Sequence, residues 1–148
     1  MKSCKVVIFK INNEEYAADI MEVERILGYS EPTKIPDSPD YIKGIIDYHD
    51  TILPIIDIKE RFNLKNTGYN EESKIIVVKS GNTCVGLSVD AVLEVIDIFE
   101  NKIESAPEIA KRDSNKYIKS IININNRIIV FLDTHAIVQS EELVSLSQ

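Results

Sequence analysis

Tyr41-Ile-Lys-Gly-Ile-Ile-Asp-Tyr-His-Asp-Thr-Ile-Leu-Pro-Ile-Ile-Asp57 recurs later in the chain as Tyr117-Ile-Lys-Ser-Ile-Ile-Asn-Ile-Asn-Asn-Arg-Ile-Ile-Val-Phe-Leu-Asp133. Identities fall at Tyr41/Tyr117, Ile42/Ile118, Lys43/Lys119, Ile45/Ile121, Ile46/Ile122, Ile52/Ile128 and Asp57/Asp133, and the other apolar positions stay apolar. The chain is an internal duplication, and a repeat of this length sets the architecture before any chemistry is considered. A second pair of blocks lies upstream: Ile8-Phe-Lys-Ile-Asn-Asn-Glu-Glu-Tyr-Ala-Ala-Asp-Ile20 matches Val77-Val-Lys-Ser-Gly-Asn-Thr-Cys-Val-Gly-Leu-Ser-Val89. Each half therefore reads strand, tight turn, strand, loop, strand, turn, strand. Asn12-Asn13 and Gly81-Asn82 supply residues that tolerate positive φ between β-branched runs.

Strand character is clearest in Lys5–Ile11, Ile52–Ile56, Lys74–Lys79, Cys84–Val89 and Arg127–Leu132. Pro32, Pro36 and Pro39 withdraw backbone donors from the segment 30–40 and predict an extended surface loop. Its counterpart spans 101–116 around Pro107, and the polar stretch 65–73 is the seam between halves of about 1–66 and 73–148 within one domain of 1–148. Whether each hairpin stays in its own half or is exchanged is open at this point, since exchange leaves the same pattern. Asp57 and Asp133 each open a short amphipathic stretch and are expected to cap it; a paired catalytic acid and base is the weaker reading. Residues 140–146 predict a terminal helix with Leu143, Val144 and Leu146 turned inward.

At 148 residues and 44% hydrophobic, the chain can bury roughly 70% of its unfolded surface without a staple or metal. Its two cysteines, Cys4 and Cys84, fall inside predicted strands with no zinc-ligand spacing, and no secretory leader is read at the start, so a reduced cytoplasmic protein is expected. A net charge of −7, an aromatic content of 7% and the absence of tryptophan argue against a nucleic-acid groove. No apolar run approaches the ~20 residues needed to cross a bilayer. Glycine-rich phosphate loops, paired metal-ligand histidines and nucleophile elbows are missing; His49 and His135 stand alone. No enzyme, metal or cofactor is expected, and a binding module becomes the default. A small-molecule pocket between the halves is a weaker alternative, because no convergent polar cluster marks one.

Asp19-Ile-Met-Glu-Val-Glu-Arg-Ile-Leu-Gly-Tyr29, Ile35-Pro36, Tyr41–Ile46, Ile52–Asp57, Val85-Gly-Leu-Ser-Val-Asp90, Leu132-Asp133 and Ser140-Glu-Glu-Leu143 together resemble the CheW-like domain, in order and through nearly the whole chain. The resemblance implies a mainly β fold of two small five-stranded barrels packed together, with short helices after each repeat and at the C-terminus. It also implies a non-catalytic scaffold of bacterial chemotaxis, cytoplasmic and recruited to membrane-associated receptor arrays. Such a scaffold links methyl-accepting chemoreceptors to the regulatory domain of the histidine kinase CheA; an adaptor of a divergent, non-motility chemosensory pathway is the nearest alternative. The positions matching the receptor groove between barrels are Val23, Gly86 and Val92. Val23 and Val92 serve equally well as core fillers, and Gly86 as a close backbone approach or relief of a strand bend.

The positions matching the kinase-docking surface are Arg25, Gly44, Ile46, His49 and Asp50. Ile45, Ile52 and Leu53 are expected to be exposed apolar anchors at a barrel end. This chain departs from the family here, with Asp47-Tyr-His-Asp50 in place of the usual Asn-Leu-Arg-Gly and Arg25 in place of glutamate. We therefore expect Arg25 to pair with Asp47 or Asp50, an exposed pair worth about 0–1 kcal/mol, and the turn to be reshaped by the loss of glycine at position 50.

Overall fold

Short β-branched runs separated by two-residue turns fold into two sheets. The computed structural model describes residues 2–105 and 117–138. In chain order the strands are β1 (Ser3–Ile11), β2 (Glu14–Asp19), β3 (Val23–Gly28), β4 (Ile42–Tyr48) and β5 (Thr51–Asp57), then the single-turn α1 (Ile58–Arg61). They continue with β6 (Lys74–Ser80), β7 (Thr83–Val89), β8 (Ala91–Phe99), β9 (Ile103–Glu104), β10 (Ile118–Ile124) and β11 (Arg127–Leu132), followed by α2 (Thr134–Val138). All five strands expected from periodicity are present. The expected terminal helix at 140–146 and most of the second loop, 106–116, lie outside the described residues.

One sheet runs β8-β1-β2-β11-β10-β9 and the other β3-β6-β7-β5-β4. The first hairpin, β1–β2, thus pairs with β8 and β11 of the second repeat, and β6–β7 pairs with β3 and β5 of the first. The hairpins are exchanged between repeats, which answers the question left open by the sequence. The first sheet has six strands rather than five because β9 adds a two-residue pair to β10.

Alternation along each strand divides the apolar residues among three clusters. Val6, Ile8, Ala17, Ile98, Ile122, Ile129 and Phe131 fill the six-stranded sheet. Leu53, Ile55, Ile75 and Val77 fill the five-stranded one. Opposite-facing residues of the same strands, among them Phe9, Tyr16, Ile56, Ile76, Val78, Val85, Leu87 and Leu132, form a shared core between the sheets. Covering both faces of β6 explains why Ile75-Ile-Val-Val78 reads as an unbroken apolar run. Pro54 is tolerated inside β5 because there the strand pairs with β4 alone; pairing with β7 begins at Ile55.

The duplication is visible in single contacts. Asp57 N–H donates to the Tyr41 carbonyl at 2.8 Å, and Asp133 N–H donates to the Tyr117 carbonyl at 2.6 Å. Between the matched tyrosines lies the Arg61 guanidinium, 4.5 Å from the Tyr41 ring centre and 4.8 Å from that of Tyr117, and it donates to the Tyr117 hydroxyl.

Candidate partner-binding surfaces

The β4–β5 hairpin turns through His49 and Asp50 at φ 50° and 64°. Asn12–Asn13 (51°, 70°) and Asn125–Asn126 (45°, 63°) turn in the same way. Two consecutive positive φ values match the twist of the flanking strands, and aspartate and histidine are among the few side chains that enter this region. With aspartate at position 50 the turn takes the same two-residue form as the chain's asparagine turns, held at a conformational cost, and the Thr51 hydroxyl donates to the Tyr48 carbonyl across it at 2.6 Å.

The expected pairing of Arg25 is not found. Among the described residues Arg25 makes no ion pair with Asp47 or Asp50; the contact between β3 and β4 is instead the Tyr48 hydroxyl donating to Glu24 Oε2 at 2.6 Å. A register shift between Val23 and Arg25 sets Glu24 outside the ladder with β6, and Glu24, not Arg25, reaches the hairpin. Burial and donation to the Glu24 carboxylate push the Tyr48 phenol up to about 12, with nearby Arg25 opposing.

Among the apolar anchors, Ile52 stands 65% exposed beside the turn, whereas Leu53 is 1% exposed and packs inside the five-stranded barrel. Strand alternation makes the two neighbours opposite in this respect. Ile45 is half-buried, with its N–H and carbonyl both bonded to Thr33 at 2.9 Å, and Ile46 packs half-buried against the interior. Gly44 is buried under the proline loop: at φ 153° a Cβ would run into the Thr33 carbonyl and stand 2.9 Å from Pro32 Cβ. The surface at this end therefore reduces to Ile52, His49, Asp50 and Asp47, beside a cleft of about 420 Å³ lined by Glu24, Tyr48, Asn82 and Cys84.

Val23 and Val92 come from different sheets and both pack, half-buried, against the shared core. Gly86 does not join them: its missing side chain would point into the five-stranded barrel, 2.6 Å from Ile55 Cδ1 and 2.7 Å from Ile75 Cγ2, so glycine is there for packing. The sequence reading missed Leu93 and Val95, 43% and 48% exposed on the edge strand β8, where a register shift leaves Leu93 outside the ladder with β1. Their signal was the run Ala91–Phe99, apolar at both parities of an alternating strand although only one face is covered.

Asp57 and Asp133 are caps. Asp57 accepts from the Lys59 N–H at 3.0 Å and from the Tyr69 hydroxyl at 2.5 Å, and Asp133 accepts from the Ala136 N–H at 3.1 Å. Burial and a nearby carboxylate raise both cysteine thiols above their ordinary value, away from the reactive thiolate. Among the described residues no three His, Cys, Asp or Glu side chains are grouped to hold a metal ion, and no helix is long and apolar enough to cross a membrane.

The chain as a whole has counterparts among known proteins. The CheW-like domain matches residues 5–142. A chemotaxis protein CheW of Klebsiella aerogenes is 34% identical over 93% of this chain and 82% of its own length. That of Bacillus subtilis is 33% identical over 93% and 88%. The crystal structure of scaffolding protein TtCheW from Thermoanaerobacter tengcongensis superposes with a TM-score of 0.86 at 34% identity, covering 95% of this chain and 96% of the other. A whole-length match to family, relatives and fold alike makes this chain a member of the CheW-like domain family.

Proposed function

We propose that the protein is the adaptor that couples methyl-accepting chemoreceptors to the regulatory domain of the histidine kinase CheA. It would act in the cytoplasm at receptor arrays, through contacts alone. Family membership supports the scaffold role, and one observation supports its bivalence: exposed apolar side chains sit on both sheets, among them Ile52 at the tip of β4–β5 and Leu93 with Val95 along β8. An apolar side chain held out on a rigid turn, ringed by polar residues, is the usual form of a protein-binding anchor. The kinase would seat on the tip at Ile52, His49 and Asp50, with Arg25 and Asp47 at its rim. The receptor would lie along the face where Val23, Val92, Leu93 and Val95 meet solvent.

Calorimetric titration with the kinase regulatory domain from the same genome tests this. Micromolar binding, about −8 kcal/mol, that falls at least about tenfold in Ile52→Glu is expected. Absence of binding by the native chain, or full binding by the variant, would refute the kinase assignment.

A further inference from the structure

Lys59 is the one cation in the fully buried core of the described residues, and neither proposed surface uses it. It lies in α1, two residues after the cap Asp57. Its ammonium donates to Asp90 Oδ1 at 2.6 Å, to the Gly68 carbonyl at 2.8 Å and to Thr67 Oγ1 at 2.9 Å, and lies 4.4 Å from the centre of the Tyr69 ring. All three ammonium hydrogens thus have oxygen partners.

The position of Asp90 gives this cluster its meaning. Residue 90 is the single residue between β7 of the five-stranded sheet and β8 of the six-stranded sheet, so the chain changes sheets there. Its second oxygen accepts the Asn12 N–H at 2.7 Å, and its own N–H donates to the Lys10 carbonyl at 2.9 Å, both at the β1–β2 end of the six-stranded sheet. The Asn12 side chain closes the circuit, donating to the Lys65 carbonyl at 2.6 Å and accepting from Thr67 Oγ1 at 2.9 Å. One charge pair, its ammonium fully buried and its carboxylate 27% exposed, therefore ties α1, the linker between the repeats, the crossover and the exchanged hairpin. Val92 and Leu93 follow after Ala91.

We infer that the Lys59–Asp90 pair is a latch that sets the placement of one sheet on the other, and so positions the edge strand carrying Val92, Leu93 and Val95 against Val23 on the opposite sheet. A buried ion pair often gives no more stability than apolar residues of the same volume, but it is directional and accepts few geometries. The hydrophobic attraction across the shared core carries no direction of its own, whereas the latch accepts few geometries and adds a directional constraint on the register between the sheets. Lys59 is then a positioning residue for whatever binds across the two sheets. It leaves the β4–β5 tip, which belongs to one sheet, untouched. The receptor half of this inference rests on the adaptor reading; the geometric half does not.

The test uses the full chain carrying Lys59→Met, Asp90→Asn or both, the double variant removing both formal charges should either single variant fold poorly. The geometric readout is the distance between spin labels at Ile52→Cys and Ile128→Cys, one per sheet, in a Cys4→Ser/Cys84→Ser background without partners. The latch predicts a narrow distribution in the parent and a broadened or displaced one in every latch variant that keeps a cooperative unfolding transition. Binding should split: affinity for a receptor cytoplasmic tip falls by at least about tenfold, while affinity for the kinase regulatory domain stays within about twofold. Unchanged distances in folded latch variants, or equal loss of both affinities, would overturn the inference. If the parent binds neither partner, the adaptor reading fails and the distance measurement still decides the latch.

Discussion

Replacing Gly44 by alanine separates packing from partner contact at a position that family resemblance assigns to kinase docking. Gly44 takes φ 153°, in a part of backbone space nearly reserved for glycine, where another residue costs about 1–3 kcal/mol. The added methyl would also collide with the Thr33 carbonyl, with Thr33 C at 2.8 Å and Pro32 Cβ at 2.9 Å; backbone atoms cannot rotate away as a side chain can. Relief requires the proline loop to lift, which breaks the two bonds between Thr33 and Ile45, each 2.9 Å long and each worth about 0.5–1.5 kcal/mol. The total is about 2–6 kcal/mol, a large part of the 5–15 kcal/mol typical of a whole domain. Urea unfolding should show a midpoint about 1–3 M lower with an unchanged slope, taking a slope of about 2 kcal/mol per M. Loss below about 1 kcal/mol, with kinase binding abolished, would refute the packing account and restore Gly44 to the docking surface.

Other outcomes follow from the same geometry. Asp50→Gly relieves a side chain from positive φ and should raise stability by about 0.5–1 kcal/mol, read as a higher melting temperature; an unchanged or lower value would contradict the turn assignment. Leu53→Ala should cost about 2–5 kcal/mol while Ile52→Ala costs less than about 0.5, so a denaturation series that ranks them equal would deny the alternation of β5. Gly86→Ala meets only the flexible ends of Ile55 and Ile75 side chains and should cost about 1–3 kcal/mol, less than Gly44→Ala measured side by side. Burial and donation to a carboxylate raise the phenols of Tyr29, Tyr48 and Tyr69, Tyr48 to about 12. The folded state holds these protons above the unfolded value of about 10, so their stabilisation is complete below pH 10 and is lost as pH rises toward 12 and beyond. Phenolate absorbance should then develop in two stages, the later coinciding with unfolding; complete ionisation near pH 10 in the folded protein would contradict these contacts.

The repeat made the strands, the turns and both aspartate caps legible, because each rests on local rules of alternation, positive φ and free amide donors. Exchange of the hairpins was not legible, since a hairpin pairing with its own half or with the other half buries the same alternating face. Single-residue errors had the same character. Leu53 and Ile52 are adjacent apolar residues whose exposure depends on strand parity, and the register shift at Glu24 moved the carboxylate, rather than the arginine beside it, into reach of Tyr48. The role of Lys59 escaped because its partners Thr67, Gly68 and Asp90 come from the linker and the crossover between sheets, and no sequence period links them to α1.

Co-sedimentation decides whether the protein bridges two partners. Vesicles displaying receptor cytoplasmic tips are mixed with the histidine kinase, with and without this protein, and pelleted. Kinase should pellet only when the protein is present, and Ile52→Glu should leave the protein on the vesicles while the kinase stays in the supernatant. Kinase in the pellet regardless of the protein, or full recruitment by the Ile52→Glu variant, would contradict such bridging.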